Sequence, residues 1–362
     1  MESTGRMGSR MANDVILDIN DQQKPRTLME KIRHRYNDQE VDNRIKLSAQ
    51  KWVRVLILQI PAQLFMFHCY IIPYLFEEYD DWTHYYLKVL TTYLAIQCVA
   101  NYFGTILYDT SISNTKDRPD IQGLSDRWEN PPEHFVTLLY QNGSAITMTE
   151  SEEIDDSGFV WKYCDICKIY KPPRTHHCNI CKMCILKRDH HCYILGNCIG
   201  FKNQRYFVIL LFYVTVIGLL GGCLQFKYLQ VFYYPYSYAW TDFIPPVALY
   251  RWLYGTVDAM SLHVCVMIQQ IYLEFLLGVI CFFYFNLQIA IIFRGKTLYE
   301  VAKFVPVRNF NSINRNFRSV FGDFWVLNFF FPMQVIFRQR DDGKTWEGIK
   351  VDHNANLQGK TN

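Results

Sequence analysis

The apolar residues fall into four blocks of roughly 20, each long enough to cross ~30 Å of hydrocarbon as a helix, and nothing else in the chain restricts its fold as strongly. The blocks run from about Trp52 to Phe76, from about His84 to Leu107, from Tyr206 to Phe226, and through a longest stretch whose clearest core is Ile271 to Phe293. In a chain of 362 residues that is 20% charged, this bunching excludes a soluble enzyme, a fibrous protein and a disordered one. A net charge of +3, with no basic stripe interleaved with aromatics, argues against nucleic acid as a partner.

The pattern predicts an all-α polytopic membrane protein with four spans. Its segments are 1–51, an N-terminal region with no secretory leader expected; 52–107, spans one and two; 108–205, a polar loop; 206–293, spans three and four; and 294–362, a tail. Pro61 and Pro73 in the first block are compatible with a membrane helix whose neighbours satisfy the freed carbonyls. Residues 1–30 and 352–362 read as poorly ordered. Glu274, near the start of the last block, reads as a side chain snorkelling to the headgroups. The tail patch Phe324 to Phe337 is too short to span and reads as an interfacial or cavity-packing segment, a surface anchor being its simplest form.

Basic residues set the orientation. Of 37 Lys and Arg, 33 lie in residues 1–51, in 108–205 or after Phe293, so both termini and the polar loop are expected on the cytosolic side. That compartment is reducing. Thiols there serve metal binding or catalysis better than disulfides.

Seven of the 12 cysteines lie between Cys164 and Cys198, among His176, His177, His190 and His191. Cys164-x-x-Cys167 and Cys178-x-x-Cys181 are turns that each present two thiolates to a tetrahedral ion. Two closed four-coordinate zinc sites would use eight of the available sulfur and imidazole groups. Spacing alone leaves open which groups are left over. Asp189-His190-His191-Cys192 offers a thiol, a base and a carboxylate to orient that base, although Cys192 could equally be a ligand with Asp189 anchoring His190.

The run C-x2-C-x9-H-C-x2-C-x2-C-x4-D-H-H-C-x4-N-C from Cys164 to Cys198, followed by Ile199-Gly200, Asn203 and Arg205, resembles the cysteine-rich domain (about 162–205) of the DHHC family of membrane protein S-acyltransferases. The resemblance implies one zinc on Cys164, Cys167, His177 and Cys184 and a second on Cys178, Cys181, His191 and Cys198. Asp189, His190 and Cys192 are then the working group, and His176 is a solvated neighbour. Asn316, in the stretch Asn316 to Gly322, would hydrogen-bond backbone near the end of the last span. The chain departs from the family at Tyr193-Ile194, where Pro-Trp is usual, at Leu298, where a Thr hydroxyl would face the catalytic Asp, and at Asp109-Thr110-Ser111.

The function this implies is transfer of a long-chain acyl group, palmitoyl in particular, from acyl-CoA to cysteines of membrane-proximal substrate proteins, through an acyl-Cys192 intermediate. The zinc ions would be structural, and Lys171, Arg174, Lys187 and Arg188 would meet the CoA phosphates. The setting would be a lipid bilayer of the ER or Golgi. The alternatives are a membrane-anchored zinc scaffold with weak or no catalysis and a RING-like ubiquitin ligase. The tight Cys178 to Cys184 run disfavours the latter.

Overall fold

Residues 58–112, 162–236, 239–256, 260–331 and 339–351, apart from Asp165, Lys168 and Arg340, are described by a computed structural model, and the expectations placed on 1–51, on 113–161, on 352–362 and on the tail patch beyond residue 331 lie outside them. Helix α1 covers 58–75, with its turn Phe67–Ile71 wound as π-helix. Helix α2 is Asp81–Leu107. Six three-residue strands follow: β1 Lys162–Cys164, β2 Ile169–Lys171, β3 His176–Cys178, β4 Met183–Ile185, β5 His190–Cys192 and β6 Asn197–Ile199. Then come α3 (Gln204–Phe232, containing a π turn at Ile217–Gly221), α4 (Pro245–Tyr254), α5 (Leu262–Phe293) and α6 (Leu298–Ala302). The tail contributes β7 (Val307–Asn309), α7 (Ile313–Phe321), α8 (Leu327–Phe330) and β8 (Ile349–Val351).

Among the described residues, α2, α3 and α5 are long and apolar enough to cross a membrane. At 1.5 Å per residue they extend about 40–48 Å, more than a hydrocarbon core requires. Each exceeds the apolar block that predicts it. The first expected span is described only from residue 58, where it is helical. The strands amend the all-α expectation: they form four antiparallel two-stranded sheets, β1–β2, β3–β4, β5–β6 and β7–β8.

Local chemistry fixes the helix ends. Asp80 caps α2 by accepting from the Thr83 amide at 3.0 Å. Tyr79, Trp82, Tyr85 and Tyr86 at this end are exposed, as aromatics of a membrane–water boundary are. Helix α5 stops at Gly295, whose φ of 64° is left-handed and whose absent Cβ would otherwise press on the Asn309 carboxamide. Just beyond, Asn316 donates to the Phe293 carbonyl at 3.0 Å, the backbone contact expected of it.

Helices α3 and α5 touch at glycine. A Cβ on Gly218 would lie 2.5 Å from the Glu274 carbonyl and 2.8 Å from the Gly278 Cα, so only glycine permits this approach. Glu274 does not snorkel. It is 4% exposed, and its carboxylate accepts from Gln59 of α1 at 3.2 Å and Gln225 of α3 at 2.7 Å, so it ties three helices together instead of reaching the headgroups.

Candidate functional site

Residues directly paired in an antiparallel hairpin share a face, and the next residue points to the other. In β3–β4 His177 pairs with Cys184, and in β5–β6 His191 pairs with Cys198. Each pair presents one imidazole and one thiol together. Cys178, one step beyond His177, is turned away from the first pair and joins the second, which interlocks the two hairpins.

The ligand-type atoms of Cys164, Cys167, His177 and Cys184 lie within 4.8 Å of one another, and so do those of Cys178, Cys181, His191 and Cys198. These are the two sets that the resemblance implies. The His177 Nδ1 is 3.7, 3.2 and 3.9 Å from the sulfurs of Cys164, Cys167 and Cys184. For His191 the distances to Cys178, Cys181 and Cys198 are 3.8, 3.3 and 3.6 Å. A tetrahedron with metal–ligand bonds of ~2.0–2.3 Å has edges of about 3.6 Å, so these are ligand-to-ligand edges, and three thiolates with one imidazole suit Zn2+. Hydrogen bonds from Cys181 and Cys198 pull the Cys178 thiol far down, while the same contacts push Cys198 far up. Sulfurs crowded in this way share protons until a cation replaces them.

The other face of β5 carries the chemistry. Strand alternation sends His191 to the metal set and points His190 and Cys192 the opposite way, toward the spans. The His190 ring meets Phe207 of α3 edge-on at 5.2 Å. Cys192 is half-buried against a cluster containing Tyr102, Leu195, Ile199, Phe207 and Leu211. Asp189 is 1% exposed, and its Oδ2 accepts from His190 Nδ1 at 2.8 Å and from Gln288 Nε2 at 2.6 Å. Its Oδ1 accepts from the Leu298 amide at 2.7 Å. Burial opposes charge on Asp189, but bonds from His190, Leu298 and Gln288 outweigh it and hold the carboxyl below its ordinary value. Burial likewise opposes charge on His190. The Asp189 bond, together with the nearby Cys192 thiol, outweighs that burial and raises the imidazole to about 9.

Residues 159–305 match the family model described as DHHC palmitoyltransferase, over the stretch that holds both metal sets and the Asp189-His190-Cys192 line. Residues 159–305 thus carry a domain of the DHHC palmitoyltransferase type. Palmitoyltransferase ZDHHC22 of Rattus norvegicus is 32% identical over 167 residues, covering 45% of this chain and 61% of that protein. The Homo sapiens protein of that name is 31% identical over 140 residues, 37% of this chain and 51% of the relative. Palmitoyltransferase ERF2 of Yarrowia lipolytica is 29% identical over 139 residues, 37% of this chain and 33% of the relative. The chain thus spans about three fifths or less of these relatives. The match over this domain and the apolar helices together support an integral membrane protein.

The basic residues of this DHHC domain are placed unequally. Arg174 is buried and bidentate on Glu300, with Nε–Oε1 2.6 Å and Nη2–Oε2 2.8 Å, and also donates to the Gly295 carbonyl at 2.9 Å. Its guanidinium lies 4.6 Å from the Trp346 ring. Lys187 is buried beside the same ring, and burial together with Arg174 lowers its amine to about 8. Arg188 donates to the His177 carbonyl at 2.8 Å and sits over Tyr299. Lys171 is half-buried at the end of β2. His176 is not a solvated neighbour: it stacks on Tyr299 with ring centroids 3.9 Å apart.

The Arg174–Glu300 pair carries a stability prediction. Both side chains are at most 2% exposed, so Arg174→Met leaves a buried carboxylate without its cation. That variant should lose about 3–5 kcal/mol, and Arg174→Met with Glu300→Leu should recover most of it. Thermal unfolding of the three proteins measures this, and equal losses in single and double variants would contradict it.

Sequence reasoning missed Gln288, Gln204 and the Leu298 amide. Gln204 Nε2 donates to Gln288 Oε1 at 3.1 Å, which orients the Gln288 amide so that its nitrogen faces Asp189. The signal for Gln288 was available, since a carboxamide inside an apolar block must find a partner there. A backbone N–H has no sequence signature.

Proposed function

We propose that this chain is a protein S-acyltransferase that moves a long-chain acyl group, palmitoyl in the first instance, from acyl-CoA to a cysteine of a membrane-proximal substrate protein. The observation that carries the proposal is the line Gln288–Asp189–His190, which ends at Cys192 on the face of β5 turned away from the metal set. Asp189 occupies His190 Nδ1, so Nε2 is the nitrogen left for the Cys192 thiol. In the first step His190 takes the Cys192 proton, the thiolate attacks the thioester carbon, the carbon–sulfur bond of acyl-CoA breaks, and the proton leaves with CoA. In the second, His190 takes the proton of a substrate thiol, the resulting thiolate attacks the acyl carbon, the carbon–sulfur bond to Cys192 breaks, and the proton returns to Cys192. Each step exchanges one thioester for another, so alignment and a ready thiolate matter more than strong acid catalysis.

The eight Cys and His ligands would hold two zinc ions, and bound zinc would supply structure by fixing the hairpins that present Cys192. The CoA phosphates would meet Lys171 and Arg188 more readily than Arg174 and Lys187, which are buried. The layout we propose has four spans, within 52–107 and 206–293, with both termini and the 108–205 loop facing the cytosol. Family resemblance alone suggests the ER or Golgi. The scaffold alternative is not favoured, because a backbone N–H at 298 holds Asp189 where the family's hydroxyl is missing.

Labelled palmitoyl-CoA should transfer to Cys192 in the purified protein and come off with hydroxylamine; two bound zincs with no label would turn the reading to the scaffold. Leu298 gives a sharper test. It is the first residue of α6, where proline fits without breaking the helix, and Thr297 before it is extended, as a residue preceding proline must be. Leu298→Pro should therefore delete the bond to Asp189 and slow acylation about 10- to 100-fold, the weight of one hydrogen bond to a charged group. Leu298→Thr keeps the N–H and should leave the rate unchanged or raise it. Equal rates for wild type and Leu298→Pro would remove the amide from the mechanism.

A further inference from the structure

We infer that Glu274, Gln225 and Gln270, with Gln59 and Gln63 beside them, form a binding site for a monovalent alkali cation between the apolar helices, apart from the Cys192 chemistry and independent of the acyltransferase reading.

Two contacts set the register of the helices that build it. Gln204 of α3 meets Gln288 of α5, and Gly218 of α3 meets α5 at Glu274 and Gly278. The two helices therefore run antiparallel, and the same register carried onward brings Gln225 level with Gln270. Gln270 precedes Glu274 by about one turn, so the two share a face of α5. Helix α1 closes the third side: a Cβ on Gly221 would lie 3.0 Å from Gln63 Nε2 and 3.5 Å from a Glu274 carboxylate oxygen, so both groups approach one spot. The site lies deep. Glu274 is ~18 Å along α5 from Leu262 and ~29 Å from Phe293, and about two turns from Cys281, which packs against the cluster on which Cys192 rests.

The hydrogen bonds fit an ionised Glu274. Gln59 Nε2 donates to one carboxylate oxygen at 3.2 Å and Gln225 Nε2 to the other at 2.7 Å, and among the described residues no acceptor is bonded to either oxygen as a protonated carboxyl requires. Neither donor is charged, and no Lys, Arg or His of the described residues pairs with this carboxylate. A carboxylate so placed in hydrocarbon is strongly disfavoured until a counter-charge reaches it.

The atoms to hold that counter-charge are in place. A carboxylate has about four acceptor positions, of which the amides occupy one on each oxygen. Gln225 is fully buried and Gln270 is 4% exposed, yet the Gln225 oxygen and both carboxamide atoms of Gln270 have no hydrogen-bond partner among the described residues. Oxygens left unpaired in this way are costly unless a cation or water takes them. One carboxylate with neutral carboxamide oxygens is a hard donor set, and its single negative charge balances one positive charge, whereas a divalent ion would bring an uncompensated charge into the apolar interior. A water held by the ion would serve the Gln270 nitrogen.

The test uses the full chain in lipid nanodiscs, with radiolabelled sodium as the probe. Wild type should bind it saturably at about one ion per chain, with displacement by unlabelled sodium or potassium chloride and none by N-methylglucamine chloride at equal ionic strength. The melting temperature should rise with sodium by roughly 2–4 °C for each tenfold increase above half-saturation. Glu274→Gln should weaken binding more than about tenfold by removing the charge. Gln270→Leu supplies the control for folding, because among the described residues its carboxamide bonds to nothing. It should leave the melting temperature in N-methylglucamine unchanged or higher while reducing sodium affinity, a loss that a packing role alone would not produce. No saturable sodium binding in wild type, or binding equal in wild type and both variants, would overturn the site. A melting response to salt that is the same for sodium and N-methylglucamine would do so as well.

Discussion

Replacing Cys192 with serine is expected to abolish hydroxylamine-sensitive acylation while leaving metal content and thermal stability nearly unchanged. The expectation follows from the alternation of one three-residue strand. His191 faces Cys178, Cys181 and Cys198, whereas His190 and Cys192 share the opposite face. Both four-ligand sets are complete without Cys192, and the half-buried thiol loses little packing on becoming a hydroxyl. Serine is nearly isosteric, but its pKa lies far above that of a thiol, so the His190–Asp189 pair leaves it a poor nucleophile. His190→Ala should slow the same step without releasing metal. His191→Ala should release metal. The reverse result, metal lost from Cys192→Ser and kept by His191→Ala, would exchange the two assignments; elemental analysis and acyl labelling of the three variants decide it.

What the sequence could convey follows from how each feature is encoded. Span positions were legible because runs such as Tyr206 to Phe226 must be apolar throughout, and each spanning helix extends past its run at one end or both. The ligand sets were legible because metal geometry demands fixed side chains at fixed intervals, and the hairpin register Cys178↔Met183 beside His177↔Cys184 then interlocks them. Glu274 misled. A carboxylate near a block's end ordinarily escapes to the headgroups, but α5 starts at Leu262, nine residues before the apolar core taken from sequence, which places Glu274 well inside the helix against Gln59 and Gln225. The Leu298 amide could not be read, since its role depends on tertiary placement of a backbone group. Arg174 reads as a free cation in a basic run, and only the fold reveals Glu300, far along the chain, as its partner.

The second large effect expected is loss of the cysteine-rich fold, and not of a single ion, on Cys178→Ala. Six strands of three residues each have little to hold them. The buried cluster at the second set consists of Cys178, Cys181, Ile185 and Cys198 with Ile180 and Met183 beside it, so the ligands themselves occupy most of its core. Metal binding must therefore supply the folding free energy that side-chain burial does not, on the order of 10–16 kcal/mol for a structural zinc at neutral pH. Removing Cys178 breaks the second set directly. It also frees β3, which carries His177 of the first set one residue away, so the damage crosses from one ion to the other. Elemental analysis should give two zincs per chain in wild type and well below one in Cys178→Ala, with labelling of Cys192 abolished because β5 loses the His191 tether that orients it. A chelator strong enough to strip both ions should reproduce that state in wild type. One zinc in wild type would overturn the two-site assignment, and a Cys178→Ala protein that keeps one full zinc and labels normally would show that the two sets hold their ions independently.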